Sequence, residues 1–97
     1  MKFIKYSSKG NTVGLEENIV SYWELDQEGY IVRCIEERET GEYLKYSEFH
    51  EADSYGQLPE GITTEENLKD LTYGSCVRLT KKQFEYLWSK KAINYNQ

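Results

Sequence analysis

The chain is poor in the residues that make metal sites, breaks and staples. Among its 97 residues are one His, one Pro and two Cys. Zinc prefers three or four ligands drawn mostly from His and Cys, so His50 with Glu51 and Asp53 beside it falls short, and neither a metal nor another cofactor is expected. With no repeat, no low-complexity tract and no Pro-rich linker, the chain reads as a single domain over residues 1–97. Long apolar runs are missing too. Charge-free stretches such as Asn18–Trp23 are far shorter than the roughly 20 residues of a membrane helix. The start, Lys2-Phe3-Ile4-Lys5-Tyr6, has no apolar signal segment, so a cytoplasmic location is expected. A phosphate-cradling Gly loop, a nucleophile elbow and a dinucleotide fingerprint are all absent.

Catalysis also lacks a constellation. Cys34 and Cys76 sit in apolar strand contexts, where a small thiol is more often buried than reactive. A Cys–His pair would need one of them beside His50, and a hydrolase using His50 with acids is a third, less favoured reading. Whether the two cysteines approach each other is open at this level, and a reduced pair is expected. Glu36 and Glu37 are adjacent on a strand and so point to opposite faces rather than forming a pair. No enzyme is expected.

What the chain does have is segregated charge and tyrosine. Its net charge is -5. Residues 1–15 hold three Lys and no acid; residues 71–97 hold five bases against Glu85. Residues 16–70 hold sixteen acids against Arg33, Arg38, Lys45 and Lys69, a net of -12. Such a middle repels phosphate backbones, so no nucleic acid is expected, while a basic partner would be steered towards it. Nine Tyr supply rigid contact area with a hydroxyl, which suits protein interfaces as well as cores.

Turn chemistry and periodicity outline an α+β fold. Lys2–Ser8 reads as a strand and Ser8–Leu15 as a loop with Gly10, Asn11 and Gly14. Asn18–Asp26 is a second strand, with Trp23 and Leu25 in one phase and Tyr22 and Glu24 in the other. Asp26–Gly29 and Glu39–Gly41 are tight turns bounding strands Tyr30–Glu37 and Glu42–Ser47. Strands so joined form an antiparallel meander. In the third strand Val32 and Cys34 alternate against Ile31, Arg33 and Ile35. His50–Gly61 is a polar loop, a short helix is expected near 64–71, and Ser75–Leu79 can add a strand. Thr80-Lys81-Lys82-Gln83 matches a capping box, predicting a helix over Lys81–Ala92 with Phe84, Leu87 and Trp88 on one stripe and the Lys91 stem beside them. The expected architecture is an antiparallel sheet of four to five strands packed against that C-terminal amphipathic helix.

Tyr22-Trp23-Glu24-Leu25-Asp26, Gly29-Tyr30, Val32-Arg33, Ile35-Glu36, Gly41, Leu58-Pro59 and Thr80–Trp88 together resemble a family of short acidic bacterial proteins known only as a domain of unknown function. The resemblance spans most of residues 19–88 and departs between Glu48 and Ser75. It implies core roles for Leu25, Val32, Ile35, Phe84, Leu87 and Trp88 and turns at Gly29 and Gly41. In size and acidity such proteins are similar to the immunity proteins of polymorphic and contact-dependent growth-inhibition toxins, which is an analogy. The expectation that follows is a non-enzymatic immunity protein that occludes the active site of a cognate toxin domain, a basic nuclease. Its partner-binding residues would be the exposed acids and aromatics Glu24, Glu37, Glu39, Glu51, Asp53 and Tyr55. A different class is a small regulatory domain binding a peptide along an exposed sheet edge.

Overall fold

The structure, a computed structural model, describes residues 2–8, 20–59 and 74–94. Five strands, β1 (Lys2–Ser8), β2 (Val20–Leu25), β3 (Ile31–Glu37), β4 (Tyr43–Ser47) and β5 (Gly74–Leu79), precede one helix, α1 (Lys81–Trp88). The strands form a single sheet in the order β4-β3-β2-β1-β5, and every neighbouring pair is antiparallel. The meander is therefore as expected, with β1 and β5 added at the β2 side. The loop over Ser8–Leu15 and the short helix near 64–71 lie outside the described residues.

Both tight turns have local causes. Asp26 Oδ1 accepts from the amides of Glu28 at 2.9 Å and Tyr30 at 3.0 Å, folding the chain back on itself. Gly29 closes that turn at φ 97° and Gly41 closes the next at φ 88°, a region costly for other residues.

The two sheet faces are both packed. Phe3, Tyr22 and Ile35 share the face under α1 with Phe84, and Val20, Tyr43, Leu79, Leu87 and Trp88 pack around them. The opposite face buries Ile4, Leu25, Ile31, Cys34, Leu44 and Tyr46, with Trp23, Cys76 and the loop residue Leu58 against them. The alternation of Trp23 and Leu25 against Tyr22 and Glu24 is thus real, but it separates two interiors rather than a core from solvent.

The alternation expected across Ile31 and Val32 is broken. Glu24 pairs with Arg33 while Leu25 pairs with Ile31, so β3 carries one extra residue, Val32. This β-bulge turns Ile31 onto the same face as Cys34. Val32 is left half-buried rather than central to the core.

The helix starts as expected and ends early. Thr80 Oγ1 accepts from the Gln83 amide at 3.1 Å and Gln83 Oε1 from the Thr80 amide at 2.8 Å, completing the capping box. The last helical residue is Trp88, not Ala92. Ser89 Oγ donates to the Tyr86 carbonyl at 2.6 Å, a local bond that competes with helix continuation. The chain then leaves along β4: Ala92 is buried and the Ile93 amide donates to the Tyr43 carbonyl at 2.9 Å. Lys91 is exposed and lies beyond the helix end.

Cys34 is buried on β3 and Cys76 half-buried on β5, with β2 and β1 between them. Three strand spacings place them at least about 14 Å apart. A disulfide needs Cα atoms within about 7 Å, so the two cannot be bridged in this fold.

Candidate functional site

The six expected partner-binding residues fall in three places. Glu24 is a correction: it is only 8% exposed, under α1, and so is not the exposed contact acid that was expected. Its carboxylate pairs with the Arg33 guanidinium, which also reaches Glu85 on the helix. Arg33 lies over the Phe84 ring at 4.9 Å and the Trp88 ring at 5.0 Å. Burial works to lower the Arg33 pKa, but its hydrogen bonds to Glu85 and Glu24 outweigh that and raise it. The cation is the glue between helix and sheet.

Glu37 lies on the same face, half-buried, where it accepts the Tyr22 hydroxyl at 2.8 Å. Burial and that bond together push the Tyr22 pKa up. Glu36 faces the other way, as strand geometry requires, so the two acids do not meet. Glu39 is exposed in the β3–β4 turn.

Glu51, Asp53 and Tyr55 come together on the segment 48–59, which covers part of the second face. Two tight turns shape it. Ser47 and His50 exchange both backbone hydrogen bonds, at 3.2 and 3.0 Å, leaving Glu48-Phe49 as the tip of the first. The Asp53 amide donates to the Gly56 carbonyl at 2.9 Å, making Ser54-Tyr55 the tip of the second. A bridge between Ala52 and Gln57 and a 2.7 Å bond from the Leu58 amide to the Glu51 carbonyl close its base.

Asp53 is the hub. Its Oδ1 accepts from the Tyr46 hydroxyl at 2.9 Å, the Tyr55 amide at 2.9 Å and the Gly56 amide at 3.2 Å. Oδ2 accepts from Asn94 Nδ2 at 2.8 Å and lies 2.7 Å from His50 Nε2. Burial would raise the Asp53 pKa, but the bonds from His50, Asn94, the Tyr55 amide and Tyr46 hold it well below the usual carboxylate range. Gly56 sits so close that an added Cβ would meet the Tyr46 hydroxyl at 3.2 Å. This carboxylate is committed to structure, which leaves Asp53 a positioning role rather than a contacting one.

The turn tips stay outside. Phe49 is 93% exposed and Tyr55 is 53% exposed, flanked by exposed Glu48 and Glu51. Phe49 and Glu48 escaped the sequence reading, although one signal existed: Phe49 is an aromatic in a polar stretch that matches neither strand nor helix phase.

Beside the first tip a cleft of about 490 Å³ opens between the end of α1 and the sheet. Its lining includes Glu24, Arg33, Trp88 and the bulged Val32, together with the exposed Glu48 and Phe49. Neither His50 nor a cysteine lines it. His50 is engaged by Asp53, and the Cys34 thiol is buried on the far side of the sheet, its pKa pushed up by burial and by Glu36. Among the described residues no three His, Cys, Asp or Glu side chains gather to hold a metal, and no helix is long and apolar enough to cross a membrane.

No protein-family model, curated protein or solved structure matches the chain.

Proposed function

We propose that the protein is a non-catalytic binding module that docks on a basic protein surface through the segment 48–59, acting as an immunity protein that occludes the active site of a cognate toxin domain in the cytoplasm. The observation that carries this reading is the pair of aromatic-tipped turns, Phe49 and Tyr55, flanked by Glu48 and Glu51 and held by Asp53. Rigid aromatics set among carboxylates bind with little ordering cost, and the carboxylates steer a cationic partner. A basic nuclease fits, because the Arg and Lys that hold its phosphates would meet acids instead. The toxin assignment rests on the likeness in size and acidity to immunity proteins.

The alternative, a peptide added to a sheet edge, is disfavoured at β4. There the Ile93 amide and the Asn94 side chain already occupy the outer backbone groups of Tyr43 and Lys45.

The test is co-expression with the product of the neighbouring reading frame and capture at low and high salt. A tight complex that weakens with salt, and that Glu51→Lys with Tyr55→Ala abolishes, supports the proposal. A complex indifferent to both substitutions and to salt would sink it, as would no complex at either salt.

A further inference from the structure

The cleft beside Phe49 has a charge and shape that select a guest. Its lining carries two carboxylates, Glu24 and Glu48, against one cation, Arg33, so the cleft is net negative. Arg33 is already neutralised by Glu24 and by Glu85, and it is pinned over Phe84 and Trp88. The Glu48 carboxylate is different. It stands exposed at the rim and makes no hydrogen bond or ion pair among the described residues. Its neighbour Phe49 offers an open ring face, 93% exposed. The tight turn fixes the backbone that carries both: Phe49 donates its amide to Ser47 Oγ at 3.1 Å, within the Ser47–His50 backbone pair. A fork-shaped cation suits such a place, since guanidinium pairs with a carboxylate through two parallel bonds and stacks on an aromatic ring.

We infer that this cleft seats an arginine side chain of the protein's partner, with its guanidinium between the Glu48 carboxylate and the Phe49 ring. The inference deepens the reading above and rests on it for the source of the arginine, a basic protein surface. Val32 and Trp88, also in the lining, take the aliphatic stem. Arginine serves here better than lysine because only its planar head satisfies both walls at once.

The test uses the full chain, labelled with 15N, and small probes in place of the partner. Nα-acetyl-arginine amide is titrated at low salt against Nα-acetyl-citrulline amide, its uncharged near-isostere, and against the lysine equivalent. Saturating shifts at the Phe49 amide and the Trp88 indole, seen with arginine and at least about threefold weaker with lysine, are expected. Glu48→Gln should weaken the arginine response about fivefold to tenfold, and Phe49→Ala about threefold. Both side chains are exposed, so an unchanged amide spectrum elsewhere shows the fold intact. No saturable response up to 50 mM arginine probe, or an equal response to citrulline, overturns the proposal. Equal binding of lysine overturns the choice of guanidinium. The outcome is separable from the docking proposal. If the partner complex forms while the probe is ignored, this cleft is removed and segment 48–59 is left standing. If the probe binds and the complex fails, the reverse holds.

Discussion

Asn94 grips Lys45 by its backbone. The side-chain amide accepts from the Lys45 N–H at 2.8 Å and donates to the Lys45 carbonyl at 2.9 Å, as a neighbouring strand would. The same Nδ2 also reaches Asp53 Oδ2 at 2.8 Å. One side chain thus ties the C-terminal segment, the β4 edge and the 48–59 loop together.

Replacing it should release all three. Asn94→Ala leaves two backbone groups and one carboxylate oxygen short of a partner, at an expected cost of about 1–3 kcal/mol. Urea unfolding reads the loss, and hydrogen exchange at the Lys45 amide should accelerate well beyond the global change. Unaltered exchange at that amide would contradict the clasp.

Asp53 should matter for shape more than for contact. Asp53→Ala removes the acceptor for Tyr46, Tyr55, Gly56 and Asn94 and the partner of His50, at about 1–3 kcal/mol for a group that still touches solvent. Amide signals of 48–59 should broaden while those of β1 and β2 stay put. A loop with unchanged signals would refute the hub.

The same carboxylate sets an acid limit. Its folded pKa lies below its unfolded one, so its contribution is present in full above about pH 4 and is lost as pH falls through the depressed value. Loop signals should therefore move below pH 4, and Asp53→Asn should remove that step. A step at higher pH would point to another group.

Glu36 should behave in the opposite sense. Burial, with Asp53 adding to it, raises its pKa, so the fold favours the neutral form and is penalised at pH values above that pKa. Glu36→Gln is expected to stabilise at pH 7, read as a higher Tm. The gain should shrink as pH falls through the raised value and the wild-type carboxyl gains its proton. Calorimetry at two pH values decides it, and a lower Tm at pH 7 would reverse the assignment.

Arg33 offers a last check. Arg33→Met strands the Glu24 carboxylate in the helix–sheet seam, and a cost of about 2–3 kcal/mol is expected, below that of a fully buried pair because Arg33 keeps some exposure. Adding Glu24→Leu should recover most of it. If the double variant is no better than the single one, stacking rather than charge pairing is what Arg33 supplies.

Where the sequence was readable, short-range chemistry did the reading. Asp26 with Gly29, and Thr80 with Gln83, act on neighbours within a few residues, so the meander and the helix start follow from spacing alone. Glu24 was misplaced because alternation tells which residues share a face, not whether solvent lies on it. Here α1 covers one face and segment 48–59 part of the other, so both phases of β2 are inside. The extra residue at Val32 leaves no mark in composition, since Ile31, Val32 and Arg33 read as ordinary strand sequence whichever of them is unpaired. The helix end was lost for a long-range reason: β4, far back in the chain, offers the Tyr43 carbonyl and the Lys45 backbone to residues that could otherwise have continued the helix.

The separation of Cys34 from Cys76 has its own consequence. With two strands between them, oxidation cannot staple the chain to itself. Cys34 is sealed in, so a mixed disulfide with glutathione or a second chain must form through Cys76, whose thiol burial holds above its ordinary pKa and so keeps slow to react. No intramolecular disulfide therefore adds to its stability in oxidising surroundings.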